Sequence, residues 1–189
     1  MKMSKFFEDP SANRVDIQTP GPTAEGAWIP RIGETFPDLW ADSTHGELEL
    51  HRWASGHYTV FFVHPSAYTP TSEIDVIDMA RHQTEFDIRG CRVLGMTQSD
   101  PLTERMWIEE ISAKHEVEVN FPIISDEDER IAQALGMNQH SAHSDVPICK
   151  TFIISPDLRI SSIMEFPVVV PRSAMELVRI VDALQAARR

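Results

Sequence analysis

Residues 58–72 read YTVFFVHPSAYTPTS, and this stretch decides the fold of the chain. Residues 58–63 are all aromatic or β-branched, which predicts a buried central strand that ends just before Pro65. Residues 72–87 carry apolar side chains at broadly helical spacing, and Gly90 supplies the stop signal for a helix. A buried strand followed at once by a helix is typical of α/β proteins.

The rest of the chain continues this alternation of strands and helices. The further predicted elements are a strand at 91–97, a helix from Pro101 to about His115, a strand at 121–124, a helix at 127–135, an antiparallel pair at 148–154 and 159–166, and a C-terminal helix opened by the capping box of Ser173 and Glu176. The order β-α-β-α-β-α-β-β-α indicates an α/β sandwich with a mixed central sheet flanked by helices. We expect the last hairpin to supply an antiparallel edge.

Composition argues against several functional classes. The chain has 189 residues, a formal net charge of −12 and no apolar run that approaches the length of a membrane span. An acidic surface repels phosphate backbones and anionic lipids, so we expect neither nucleic acid nor membrane partners. Two cysteines without a Cys-x-x-Cys motif do not form a disulfide scaffold, and we expect a reducing, cytoplasmic location.

Residues 1–30 are predicted to form an extended N-terminal arm that precedes a domain over residues 31–189. Prolines at positions 10, 20, 22 and 30 interrupt helix and strand patterns in this segment. The aromatic residues Phe6, Phe7 and Trp28 are candidates for holding the arm against the domain or against a partner subunit.

Pro65, Thr69 and Ser72 form a specific pattern directly after the predicted central strand. The pattern resembles the Pro-x-x-x-Thr-x-x-Cys signature of the peroxiredoxin family, with Ser72 at the position of the cysteine. The likeness extends over residues 31–187. The other matching segments and positions are Ile32 to Leu39, Trp107, Phe121 to Asp126, Ala134 to Met137, and Thr151 to Pro156. The resemblance implies a thioredoxin-like fold of the peroxiredoxin type, hydroperoxide reduction with a thiol reductant and no cofactor, and assembly into at least a homodimer.

The peroxiredoxin reaction depends on a thiol in the first turn of a helix. Unpaired amide N–H groups and the positive end of the helix dipole stabilise a thiolate there, and only the thiolate attacks a peroxide oxygen. In the family, the threonine and a nearby arginine bind the peroxide, and the sulfur becomes a sulfenic acid that another thiol reduces. The resemblance therefore implies that Pro65 and Thr69 line a substrate pocket.

This chain departs from the family at three positions of that site. Ser72 replaces the attacking cysteine, Cys149 stands where the family has its active-site arginine, and Asp75 replaces a glutamate. A hydroxyl cannot be oxidised to a sulfenic acid, so the standard reaction cannot run on Ser72. Arg172 resembles a second arginine, before the last helix, and is either a contact for an anion or peroxide or part of a surface salt bridge.

Ser72 itself has three interpretations. With Asp75 it is close to a capping box, so the serine can simply cap a helix N-terminus. It can also be a cysteine-to-serine replacement in an active enzyme, but that change does not explain the missing arginine. A serine nucleophile activated by His64 is the third interpretation, although no acid partner for this histidine is evident in the sequence.

The two cysteines are interpreted differently. Strand alternation puts Cys149 and Lys150 on opposite faces. Because the family's arginine points at the nucleophile, the resemblance implies that Cys149 faces the same pocket, near the helix start at Ser72. There Cys149 is either a relocated nucleophile or an inert, buried side chain. Cys91 lies in an apolar strand and is predicted to be inert.

His140 and His143 are the only metal-ligand candidates that the sequence singles out. They lie in a polar loop after Gly136, in a segment that borders the active site in the family. Two histidines without a placed third ligand make a poor site, so we predict no metal.

Three functional hypotheses remain open. The first is a hydroperoxide reductase that uses Cys149, which requires an accessible thiol with a lowered pKa, or whose natural residue at position 72 is a cysteine. The second is a catalytically inactive relative that keeps the pocket of Pro65, Thr69 and Ser72 to bind a small molecule or a partner protein. The third is a different enzyme on the same scaffold, with an organic substrate beside Cys149, Thr69 and Arg172.

Overall fold

The computed structural model of the protein describes residues 15–19, 29–137 and 148–188. The strands in these ranges are β1 (Val15–Gln18), β2 (Asp38–Ser43), β3 (Gly46–Glu49), β4 (Tyr58–Val63), β5 (Cys91–Thr97), β6 (Ile123–Ser125), β7 (Ile148–Ile154) and β8 (Ile160–Pro167). The helices are α1 (Leu50–Ala54), α2 (Pro70–Arg81), α3 (Gln83–Asp87), α4 (Pro101–His115), α5 (Arg130–Ala134) and α6 (Ala174–Ala187). None of these described helices has the length and apolar composition needed to cross a bilayer.

The strands form one mixed sheet. Its order is β1-β2-β6-β5-β4-β7-β8, and β3 pairs with β2 beside this path. β4, β5 and β6 are parallel neighbours, whereas β7 runs antiparallel to β4 and β8 runs antiparallel to β7. The predicted mixed sheet, with an antiparallel hairpin at one edge, is therefore confirmed.

Strand β4 is buried along its whole length and its side chains face two separate cores. Val60 and Phe62 belong to a core shared with α2, α4 and α6. Phe61 and Val63 belong to a core on the other face of the sheet, shared with β2 and α5. Because side chains alternate along a strand, the residue that follows β4 on the face of Phe62 is His64, which is turned toward α2 and α4. The candidate site lies on this face of the sheet.

The helix predicted over residues 72–87 is instead two helices. α2 begins two residues earlier, at Pro70, and α3 follows after a break at His82. His82 has a φ of −102° and a ψ of 12°, outside helical geometry. Its ring nitrogen Nδ1 lies 2.8 Å from the carbonyl oxygen of Asp78 in the last turn of α2. The apolar spacing could not reveal this local contact.

The starts of β6 and α5 also differ from the prediction. β6 begins at Ile123, and α5 is shorter than the helix predicted over residues 127–135. The cause of the late helix start is Asp126, whose buried carboxylate accepts hydrogen bonds from the backbone N–H groups of Ile131 and Ala132. The acidic side chain thus replaces the missing carbonyl partners of the first helical turn.

The sequence analysis missed β1, β2, β3 and α1. β2 alternates between half-buried and buried residues, but its two aspartates disfavour a strand by propensity. Pairing with β1 and β3 stabilises it in the folded chain. The predicted arm of residues 1–30 therefore contributes β1 to the sheet, while Phe6, Phe7 and Trp28 lie outside the described residues.

Candidate active site

The N-terminus of α2 carries Thr69 and Ser72. Thr69 is the N-cap residue, in extended backbone, and Pro70 follows at a position where a helix leaves the N–H unpaired. Ser72 lies within the first turn, is fully buried, and accepts a hydrogen bond from Thr69 Oγ1 at 2.6 Å. The interpretation of Ser72 as the helix cap is therefore wrong, because Thr69 occupies that position.

The loop between β4 and α2 is fixed by contacts with two neighbouring segments. The carbonyl oxygen of Pro65 accepts a hydrogen bond from the backbone N–H of Gln98 at 3.1 Å. Tyr68 has a φ of 59°, in the left-handed region, and its hydroxyl donates to Glu110 of α4 at 3.1 Å. The ring of Tyr68 also packs 6.3 Å from the ring of Trp107. These contacts hold the Pro65–Thr69 segment over the start of α2.

A buried ion pair joins α2 to the segment before α6. Asp75 lies one turn after Ser72, and both it and Arg172 have side chains that are 2% exposed. The backbone N–H of Arg172 donates to Asp75 Oδ1 at 2.7 Å, and the guanidinium contacts Oδ2. The guanidinium also donates to Thr151 Oγ1 at 2.7 Å and to the carbonyl oxygen of Val63. The alternative that placed Arg172 in a surface salt bridge is therefore wrong.

Cys149 lies near the start of β7, and its thiol faces this ion pair. The residue is 7% exposed, and the positive charge of the Arg172 guanidinium acts on the thiol. Burial raises the pKa of the Cys149 thiol, and Arg172 only partly offsets that increase. The lowered pKa that a reactive Cys149 requires is therefore not present in this arrangement. Lys150, the next residue, pairs with Glu165 at 3.0 Å instead of joining the cluster.

The predicted site residues thus form two groups, one at the start of α2 and one linked to α2 from β7. Thr69 and Ser72 are hydrogen-bonded to each other at its start. Cys149 is linked to the same helix through Arg172 and Asp75. Burial also raises the pKa of Asp75, and the adjacent Arg172 opposes this effect. The site is accordingly a buried polar cluster with one thiol and one fixed guanidinium.

The sequence analysis missed Glu104, which supplies the acid partner that His64 lacked. His64 Nε2 lies 3.2 Å from Glu104 Oε1, and both side chains are at most 1% exposed. The imidazole also packs 5.7 Å from the ring of Trp107. A signal for this contact was available, because Glu104, Trp107 and Ile111 are the buried residues of α4 and recur at helical spacing. A carboxylate on such a stripe indicates a buried polar partner.

Cys91 and the histidine loop lie apart from this site. Burial raises the pKa of Cys91 to about 12, which agrees with its predicted inert role. His140 and His143 lie outside the described residues. Within the described ranges, no group of three or more histidine, cysteine or acidic side chains could hold a metal ion.

A mixed sheet with helices on both faces, and a proline–threonine motif between its central strand and the next helix, defines the thioredoxin-like fold of peroxiredoxin-type proteins. Comparison with known proteins agrees with this class. The AhpC/TSA family profile matches residues 32–163, and the chain belongs to this family of peroxiredoxins.

Individual relatives give the same result. A 1-Cys peroxiredoxin of Medicago truncatula is 34% identical over 162 residues, which are 84% of this chain and 74% of the relative. The crystal structure of a cysteine-to-serine mutant of the peroxiredoxin 6 of Arenicola marina is 28% identical, with a TM-score of 0.77 over 84% of this chain and 75% of that one. The yeast mitochondrial 1-Cys peroxiredoxin, described with a thiol-resolving mechanism via glutathione/thioredoxin systems, is 29% identical, with a TM-score of 0.77 over 84% and 78% of the two chains. The predicted fold and family are confirmed.

Proposed function

We propose that this protein is a thiol-dependent hydroperoxide reductase whose reacting sulfur is Cys149. The observation that carries the proposal is the placement of the Arg172 guanidinium, which Asp75 fixes against α2 and which donates to Thr151 Oγ1, two residues after Cys149 on the same face of β7. A positive charge close to the sulfur stabilises the thiolate, and a guanidinium can polarise a bound peroxide. Thr69 and Ser72 add a pair of hydroxyls at the N-terminus of the same helix, and a hydroperoxide can hydrogen-bond to such groups.

In the proposed reaction, the peroxide oxidises Cys149 and an external thiol reductant restores it. The Cys149 sulfur attacks one peroxide oxygen, so that an S–O bond forms as the O–O bond breaks, and the departing oxygen leaves as an alcohol or water after taking up a proton. The resulting sulfenic acid condenses with an external thiol and releases water. A second thiol then reduces this mixed disulfide and restores Cys149.

Burial limits the rate of this reaction. Because the pKa of Cys149 is raised, most molecules carry the neutral thiol at neutral pH, and only the thiolate attacks. We therefore expect slow turnover that increases as the pH rises.

The test is peptide-mass analysis of reduced protein after a short pulse of hydrogen peroxide. We expect oxygen to be added at the peptide that contains Cys149, with no addition in Cys149→Ser and unchanged addition in the matched control Cys91→Ser. Absence of oxidation at Cys149, in protein whose fold is intact by circular dichroism, would refute the proposal.

A second function, binding without turnover, is favoured by the state of Ser72. Its side chain is fully buried and its oxygen already accepts a hydrogen bond from Thr69, so α2 offers no reactive group at this position. In that case the pocket of Pro65, Thr69 and Ser72 retains a small ligand or contacts a partner protein. Protein that fails the peroxide test but still shows ligand-dependent chemical-shift changes at Thr69 and Ser72 would support this function.

The proposal extends to assembly and reductant. β8 is the last strand of the sheet, and within the described residues its outer edge pairs with no strand, so a second copy can extend the sheet there. We expect a homodimer or larger homo-oligomer in a cytoplasmic, reducing environment, with a low-molecular-weight or protein thiol as reductant. Light scattering coupled to size exclusion tests the dimer, and a monomer at all concentrations would contradict it.

A further inference from the structure

Asp78 is a half-buried carboxylate on α2 that the reaction above leaves without a role. It lies three residues after Asp75, so the two aspartates share one face of the helix. Asp78 Oδ2 accepts a hydrogen bond from the backbone N–H of Ala174 at 2.7 Å. Ala174 is the first residue of α6, where an N–H group has no partner within its own helix. Asp78 therefore supplies from α2 a hydrogen bond that α6 cannot make by itself.

His82 contacts the other oxygen of this carboxylate. Its ring nitrogen Nδ1 lies 3.2 Å from Asp78 Oδ1 and 2.8 Å from the carbonyl oxygen of the same residue. A carbonyl oxygen only accepts hydrogen bonds, so Nδ1 carries a proton and donates. The carboxylate is therefore held on both sides, by the end of α2 and by the start of α6.

The same face of α2 also holds the backbone of Arg172. Asp75 Oδ1 accepts from the N–H of Arg172 at 2.7 Å, two residues before Ala174. The two aspartates thus bind two N–H groups within three consecutive residues. The chain that leads into these residues has little support of its own, because Val169 and Val170 are 69% and 44% exposed. The contacts with α2 are therefore what fixes this backbone.

We propose that Asp78 is a positioning residue: by holding the first residue of α6 against α2, it keeps the guanidinium of Arg172 close to Cys149. Its importance for catalysis rests on the proposed function, because Cys149 is the thiol that the reaction uses. Asp78 takes no part in the bond changes and acts only through the backbone of residues 172–174.

Charge and geometry predict opposite effects of removing this carboxylate. Loss of a negative charge near a thiol favours the thiolate and lowers the thiol pKa. Loss of the contact with Ala174 instead lets Arg172 move away from Cys149, and this raises the thiol pKa. The direction of the change in Asp78→Ala therefore distinguishes a positioning role from a simple effect of charge.

The first experiment labels Cys149 with iodoacetamide over a series of pH values and is read by peptide mass. We expect the pH midpoint of labelling to rise by about half a unit to one unit in Asp78→Ala, which lowers the thiolate fraction at neutral pH by about three- to tenfold. The midpoint is compared because a change in access to the thiol alters the rate at every pH alike. An unchanged or lowered midpoint would overturn the proposal.

The matched control is Glu176→Ala. It removes an exposed carboxylate from the first turn of α6, whose partner Arg179 lies on the same helix, and it leaves the contact with Asp78 in place. The labelling midpoint of Cys149 should be the same in this variant as in the wild-type protein. An equal rise in both variants would show that any change at the start of α6 has this effect, and the specific role of Asp78 would be wrong.

The second experiment tests the contact itself in the wild-type protein, by an acid titration followed by NMR. The signal of an amide proton that donates to a carboxylate moves when the carboxylate takes up a proton. We expect the Ala174 amide signal to move together with the side-chain carboxyl signal of Asp78. An Ala174 signal that does not follow Asp78 would overturn the proposal even if Asp78→Ala does not fold.

The outcomes separate this inference from the proposed function. If hydrogen peroxide does not oxidise wild-type Cys149, the proposed function fails, whereas the labelling midpoints still show whether Asp78 positions Arg172. If wild-type Cys149 is oxidised and the midpoint of folded Asp78→Ala is unchanged, only the positioning role is wrong. Circular dichroism checks that each variant is folded.

Discussion

Cys91 and Cys149 occupy similar places near the starts of two strands of the same sheet, yet their surroundings differ. Cys91 opens β5 in the core between the sheet and its helices, and burial raises the pKa of its thiol to about 12. Cys149 lies near the start of β7, where it is nearly as buried, but the charge of the buried Arg172 partly offsets the increase in the pKa of its thiol. Exposure alone therefore does not distinguish the two thiols.

The difference lies in how the nearby arginine is held. The charge of Arg89 acts on Cys91, but its side chain is 20% exposed and pairs with Glu85 and Asp182, whereas the side chain of Arg172 is 2% exposed. Arg172 is held by Asp75, Thr151 and Val63, so its guanidinium cannot turn away from the thiol without losing several buried hydrogen bonds. A charge that is already oriented stabilises a thiolate more effectively than a mobile surface side chain does. The comparison shows that the chemical environment of a side chain on a strand depends on the segment packed against it.

The largest effect is expected from Arg172→Ala, which removes the buried charge that acts on Cys149. The change leaves Asp75 buried without its cation, so the free energy of unfolding should fall by about 3–5 kcal/mol. Urea denaturation measures this loss. The control is Arg179→Ala on α6, which breaks an exposed pair with Glu176 and should cost far less, because solvent screens exposed ion pairs. Equal losses in the two variants would contradict the importance of the buried pair.

The next effect is expected from Ser72→Cys, which adds a third thiol at the start of α2. This thiol would lie in the first turn of the helix, where the dipole and unpaired N–H groups favour the thiolate. Each unit by which its pKa falls below that of Cys149 raises the thiolate fraction roughly tenfold. We expect hydrogen peroxide to oxidise position 72 before Cys149, as measured by peptide mass. Ser66→Cys, in the loop before the helix, is the control and should not gain this preference.

The smallest effect is a difference in pH dependence between the two natural thiols. Burial raises both pKa values, so both thiols are mainly neutral at pH 7 and alkylation should accelerate as the pH rises. Arg172 opposes the increase at Cys149, so its alkylation should rise at lower pH than that of Cys91. Iodoacetamide labelling at a series of pH values, read by peptide mass, measures both rates in one sample. Simultaneous labelling would mean that the guanidinium has no influence on the thiol.

Much of the fold could be predicted because its central elements have strong local signals. The β4 and β5 strands are near-continuous apolar runs, and both were predicted with their observed bounds. The helix after Asp100 was also predicted, because Asp100 accepts hydrogen bonds from the N–H groups of Leu102 and Thr103 as an N-cap does. By contrast, β1 and β3 are four-residue strands that exist through pairing with β2, which no local pattern reveals.

The candidate site was predicted only in part. Spacing placed Thr69 and Ser72 at a helix start, and the family resemblance placed Cys149 in the pocket beside that helix. Neither pattern could indicate that Arg172 lies buried between them, because this contact joins residues 97 positions apart. For Glu104, the helical stripe of α4 could indicate a buried carboxylate but not its partner, because His64 lies on a different element.

The sequence by itself determined the family, the mixed sheet and the absence of a thiol at the start of α2. These properties depend on residue identity and on short-range spacing, which the chain carries before it folds. Only the tertiary structure decided that the charge of a buried guanidinium acts on Cys149 and that His64 faces a carboxylate. The physical reason is that charge–thiol and charge–imidazole contacts act over a few ångströms, so they exist only after packing has brought distant segments together.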